Sequence, residues 1–159
     1  LTTKHPLLLE RRLMAAFGLL ILALSYFAVT LDVGSAQAQE ITVHKSPSCG
    51  CCGKWVEHLR QHGFAVAVRS TEDLDPVKVK YGVPANLASC HTALVEGYVI
   101  EGHVPASDIR RLLDRRPTVS GLAVPGMPAG SPGMEGAGRE PYEVLVFDAS
   151  GMTKVFARY

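Results

Sequence analysis

No excess of either charge marks this chain. From Gln39 to Tyr159 it has 13 Lys and Arg against 13 Asp and Glu. No basic surplus is left to release counterions from a phosphate backbone, which excludes a nucleic-acid binder held by electrostatics. The balance also excludes a solvated acidic or basic tail. Nucleotide and cofactor motifs are missing: there is no G-x-G-x-x-G, no Walker A sequence and no C-x-x-C-H. The common dinucleotide, nucleoside triphosphate and c-type haem sites go with them. Cysteine is scarce, four in 159 residues. A segment of about 120 residues buries a core without staples, so these thiols are not needed to hold a small scaffold together.

What is present is unevenly placed. Residues 13–31 carry no charge, Lys4, Arg11 and Arg12 precede them, and Ala36-Gln37-Ala38 is a small-x-small site. Residues 1–38 therefore read as a secretory signal peptide cleaved after Ala38. The apolar run also reaches the length of about 20 residues that spans a bilayer, so an uncleaved membrane anchor is the alternative, and the only route to membrane contact. Either way the remainder is exported, with a periplasmic location expected, into a compartment where disulfides persist.

Beyond the leader, strand and helix patterns alternate. Ile41–Lys45 is a β-branched run. Cys52, Trp55, Val56 and Leu59 share one face of a helix expected over residues 51–62, and Gly63 stands at its end. Phe64–Val68 reads as a second strand. Asp75 is the expected N-cap of a short helix with Pro76 at N1, stapled by Leu74 and Val79. Residues 91–95 and 98–100 flank a Glu96-Gly97 turn, and Pro105 opens a helix that ends before Pro117. The order β-α-β-α-β-β-α predicts an α/β, thioredoxin-like fold with its first two strands parallel. Residues 39–117 form the expected metal-binding core. Residues 118–159 form an extension of the same domain. Within it, a Gly/Pro/Met-rich loop over 118–141, expected to be irregular, precedes a C-terminal β-hairpin.

The chemistry lies in the cysteines. Cys49, Cys51 and Cys52 fall within four residues, where the first strand meets the first helix. Free N–H groups and the positive end of the dipole there favour thiolate, which is both nucleophile and metal ligand. In the expected fold, Cys90 and His91 at the start of the third strand come to the same place. Three readings follow. Structural disulfides are cramped and add little. A dithiol oxidoreductase needs only the C-x-x-C of Cys49 and Cys52, which are the redox candidates. A soft-metal site uses all four sulfurs, and thiolate selects Cu(I). Zinc is chemically open but less favoured, because C-x-C-C departs from paired zinc knuckles. Shared thiolates bridging several Cu(I) ions balance the negative charge better than four around one ion. The metal reading is preferred, with Cys49, Cys51, Cys52 and Cys90 as ligands and His91, Met127 and Met134 as further candidates. The two methionines belong to an internal echo, Pro125-Gly126-Met127 and Pro132-Gly133-Met134. His44 is a weaker candidate, His58 and His62 read as a solvated face, and His103 as structural.

Cys49-Gly-Cys-Cys52, Ser89-Cys90-His91-Thr92, Glu101-Gly-His-Val-Pro105 and the segment from Gly121 to Glu135 together resemble the CopG-type copper-resistance family. The resemblance covers residues 41–159. It implies a thioredoxin-like fold, a periplasmic setting and copper bound at the cysteine cluster. It also implies a part in copper or silver detoxification beside other periplasmic copper-handling proteins, with a redox role towards copper proposed. Cys49, Cys51, Cys52 and Cys90 match the family's cysteines. His91, Met127 and Met134 match its associated motif. Copper-dependent oxidoreductase activity is thereby open rather than assigned.

Overall fold

A computed structural model describes residues 38–136 and 138–159. The expected leader, Ala38 apart, lies outside the described residues. Seven strands form one mixed sheet in the order β2-β1-β3-β4-β5-β6-β7. In chain order the elements are β1 (Glu40–Lys45), α1 (Gly50–Gln61), β2 (Ala65–Ser70), α2 (Asp75–Lys80), β3 (His91–Val95), β4 (Tyr98–Glu101), α3 (Ala106–Arg115), β5 (Gly121–Ala123), β6 (Glu143–Phe147) and β7 (Thr153–Arg158). A 3-10 turn, Ala85–Leu87, precedes β3. Among the described residues no helix is long and apolar enough to cross a membrane.

β1 is parallel to β2, as the crossover from one to the other through α1 requires, and antiparallel to β3. Period-two alternation sends Ile41 and Val43 of β1 into the core. α1 lays Cys52, Trp55, Val56 and Leu59 on the sheet, and α3 adds Ile109, Leu112 and Leu113. Each large apolar side chain so buried contributes about 1.5–3 kcal/mol. A smaller cluster of Leu87, Val99, Ala123 and Phe147 forms apart from it, with Tyr81 and Val83 packed against it. Alternation explains the division, because Val99 and Ile100 are neighbours on β4 and belong to different clusters. Glu96 and Gly97 both have positive φ, 45° and 86°, the backbone of the tight β3–β4 hairpin.

Three local expectations need correction. Residues 121–123, expected to be irregular, form β5, which pairs parallel with β4 and antiparallel with β6. Glycine and proline nearby hid a strand too short for periodicity to reveal. Asp75 is not the N-cap. Leu74 holds that position without a side-chain bond, and the carboxylate of Asp73 accepts from the Asp75 N–H at 3.0 Å. The staple fails too, since Val79 is 80% exposed.

Gly121 is required by close packing. A Cβ there would stand 1.8 Å from the Val99 carbonyl oxygen, a backbone atom with no room to move. Gly121→Ala is therefore expected to cost about 3 kcal/mol by forcing β5 off β4. Urea denaturation checks this, and a loss below about 1 kcal/mol contradicts it.

Candidate metal centre

Cys49 is the N-cap of α1, and its sulfur accepts from the Cys52 N–H at 3.3 Å. Cys51 and Cys52 follow in the first turn, under the positive end of the helix dipole. Cys52 is fully buried and is joined to Cys49 by a disulfide. Cys51 and Cys90 are free thiols, both half-buried. Cys51 Sγ lies 3.5 Å from Cys49 Sγ, and Cys52 Sγ lies 3.6 Å from the Cys90 carbonyl oxygen. All four sulfurs stand within 4.8 Å of one another. The register of β1 on β3 sets Lys45 opposite His91, which brings Cys90 to the turn after β1. The place expected for Cys90 is the place it takes.

Cys90 has two imidazoles beside it. His91 Nδ1 is 3.3 Å and His103 Nε2 is 3.0 Å from its sulfur. Cys90, His91 and His103 form a second compact donor group that shares Cys90 with the first. His103 Nδ1 lies 2.8 Å from the Pro132 carbonyl oxygen. A carbonyl only accepts, so the proton sits on Nδ1, and Nε2 turns its lone pair towards Cys90. A carbonyl behind an imidazole is how protein metal sites commonly orient their histidines. Burial keeps His103 neutral by lowering its pKa. Burial lowers that of His91 further, with His103 and Lys78 adding to the effect. His91 Nε2 is buried with no hydrogen-bond partner among the described residues. Trp55 lies tilted against His91, at 4.2 Å between ring centroids and 40° between planes, and donates its Nε1–H to the Val104 carbonyl.

The sequence reads His103 as structural, and the geometry sets its Nε2 against Cys90 as a further candidate donor. A lone histidine beside a proline gives no local signal. Its partner Cys90 is 13 residues away, across the β3–β4 hairpin. His58 was also misread: its Nε2 accepts the Ala106 N–H at 3.1 Å and caps α3. His44 pairs with Tyr81 at 6.1 Å between ring centroids and belongs to neither donor group.

The two Pro-Gly-Met segments meet the cluster at two points. Gly126 bridges Ser89, whose hydroxyl donates to the Gly126 carbonyl. Gly133, with φ +88°, passes so close to α1 that a Cβ would stand 2.8 Å from the Cys51 carbonyl oxygen. Met127 follows the first glycine and is 52% exposed, and Met134 follows the second and is half-buried. The loop thus touches the cluster through backbone beside each methionine.

Two free thiols, two thiols locked in a disulfide, and two neutral imidazoles make a donor set of soft sulfur and nitrogen. Such a set fits a soft cation such as Cu(I) once the disulfide is reduced. Fold and site together define a mixed α/β protein with a composite cysteine–histidine centre. A family model described as "Protein of unknown function, DUF411" matches residues 87–134, which contain Cys90, His91, His103 and both methionines. Among curated proteins no sequence matches the chain. Two solved structures of "Copper resistance protein copG", Form 2 and Form 1, are each 44% identical to it. They cover 77% of the chain and are themselves covered over 99% and 98% of their length, with TM-scores of 0.74 and 0.73. The chain belongs to the CopG copper-resistance family.

Burial pushes the Cys90 thiol up to about 11, and the nearby Cys51 adds to the rise. Little of it is thiolate near neutral pH. Iodoacetamide applied without reductant is therefore expected to label Cys51 about tenfold faster than Cys90 and to spare Cys49 and Cys52. Peptide mass spectrometry reads the sites. Labelling of Cys90 first, or of all four at once, contradicts this geometry.

Proposed function

We propose that the protein is an exported, periplasmic copper-binding protein of copper resistance, holding Cu(I) at the cysteine cluster. The observation that carries the reading is the convergence of Cys49, Cys51, Cys52 and Cys90 within 4.8 Å of one another from two separate segments. Membership in a family whose solved members bear the name copper resistance protein supports copper as the ion. Silver, equally soft, belongs to the same class of cargo. The order β2-β1-β3-β4, with β1 and β2 parallel and β3 antiparallel to β1, supports a thioredoxin-like core over residues 39–117, extended by 118–159. The leader supports export.

Copper is cargo here, and the disulfide governs how much the site takes. An external dithiol, itself oxidised to a disulfide, supplies the two electrons and two protons that convert the Cys49–Cys52 disulfide into two thiols, making four in all. Deprotonated, they share Cu(I) ions as bridging ligands. His91 and His103 supply terminal nitrogens, and Met127 and Met134 guard or relay incoming copper. In the opposite direction, the two thiolates of Cys49 and Cys52 close to a disulfide. They give one electron to each of two Cu(II) ions, leaving two Cu(I). That balance makes copper oxidoreductase chemistry a second part of the reading.

The rival is a thiol–disulfide oxidoreductase acting through Cys49 and Cys52, and the disulfide between them favours it. Cys51 separates the two. Exchange needs Cys49 and Cys52 only, whereas a shared-thiolate site needs Cys51 as well. Cys51→Ser is expected to lower the Cu(I) affinity of the reduced protein by at least about 10-fold, the smallest loss typical even of an outer-shell partner. Its rate of exchange with a dithiol such as dithiothreitol should stay near wild type. Unchanged Cu(I) affinity with normal exchange would transfer the assignment to the rival.

The methionines are tested apart. Met127→Leu with Met134→Leu keeps apolar volume and removes both thioethers. Slower copper uptake from a competing chelator, by about tenfold, is expected from loss of a relay. Unchanged uptake assigns the loop to packing alone.

A further inference from the structure

A buried ion pair behind Cys90 is used by no step above. Glu101, the last residue of β4, is wholly buried. Its carboxylate accepts from Lys78 Nζ at 2.5 Å, from the Ser89 N–H at 2.6 Å and from the Thr92 hydroxyl at 2.7 Å. Lys78 Nζ also donates to the Thr92 hydroxyl at 3.1 Å. Lys78 comes from α2, a helix that sends no buried side chain into the core. Strand alternation turns Thr92 to this network and His91 to Trp55 and His103.

For stability alone such a pair is a poor choice, because well-packed apolar side chains of equal volume do as well or better. An apolar side chain cannot hold a backbone N–H. The N–H held here is that of Ser89, the residue before Cys90. On its other side Glu101 runs directly into Gly102 and His103. The Gly102 N–H donates to the His91 carbonyl at 3.1 Å. Gly102 has φ +70°, and a Cβ there would meet the Ser89 side chain at 2.6 Å. One carboxylate therefore ties the segment that bears Cys90 to the turn that bears His103.

We propose that Glu101, neutralised by Lys78, is the positioning residue of this site: its carboxylate clamps Ser89 against the 101–103 turn and so keeps Cys90 Sγ on His103 Nε2. Lys78 acts through Glu101. Without its cation, the wholly buried carboxylate would be left as an unpaired charge. The inference concerns the same Cys90–His103 pair as the copper reading, but it describes the metal-free protein, and its test uses no metal.

The full chain, metal-free and with the Cys49–Cys52 disulfide intact, is labelled with iodoacetamide. Mass spectrometry compares Cys90 with Cys51 as internal reference. Glu101→Gln and Lys78→Met are each expected to raise the Cys90-to-Cys51 labelling ratio about tenfold, as Cys90 leaves its half-buried place between His91 and His103. Lys78→Arg keeps the cation and is expected to hold the ratio within about twofold of wild type. A pair that served stability alone would lower Tm and leave the ratio unmoved, and that result in both Glu101→Gln and Lys78→Met overturns the proposal. Where Glu101→Gln and Lys78→Met fail to fold, Thr92→Val decides in the same assay. It removes one donor and no charge, and is expected to raise the ratio about threefold. No rise there also overturns the proposal. The ratio is blind to copper, so failure of the copper reading leaves it standing.

Discussion

The register of β1 on β3 is the constraint on which the site depends. Lys45 lies opposite His91, so the residue that precedes β3 ends beside the turn that follows β1. A sulfur 38 positions from Cys52 is thereby delivered to the start of α1. Because side chains alternate along a strand, a slip of one residue would turn His91 to the face of Thr92, and Thr92 to the face of Trp55. The apolar pattern of β1, with Ile41 and Val43 fully buried, prevents the slip. Packing thus specifies the chemistry: the residues that make the core also place Cys90.

Two kinds of donor meet at that point. The sulfurs at the head of α1 change state by redox chemistry, and the imidazoles beside Cys90 do not. His103 is held through a carbonyl behind it, and His91 lies between Trp55 and His103. One half of the site can therefore open or close a disulfide while the other half keeps its form. The loop that carries the methionines crosses both halves, at Ser89 and at the Cys51 carbonyl.

Much of this was legible in sequence because it is local or periodic. The helix face of Cys52, Trp55, Val56 and Leu59 follows from the 3.6-residue repeat, and the β3–β4 hairpin from Glu96-Gly97. The meeting of Cys90 with Cys49–Cys52 followed from element order. What escaped notice depends on partners distant in sequence. His103 acquires its role from Cys90 and Pro132, His58 from Ala106, and Glu101 from Lys78 and Ser89. None of these pairings has a spacing that a helix or strand would reveal. β5 was concealed by glycine, although Gly121 is there because β4 leaves no space for a side chain. Asp73 took the capping role assigned to Asp75, a displacement of two residues within an acidic stretch.

The proposed copper site is assembled across the fold from the head of α1 and the start of β3. Anaerobic titration of the reduced protein with Cu(I) against a competing chelator, beside Cys90→Ser, tests it most directly. The wild-type protein is expected to bind at least one equivalent tightly, and Cys90→Ser to lose affinity or capacity sharply. Equal binding by both proteins would confine copper to the C-x-C-C segment and contradict a site built across the sheet.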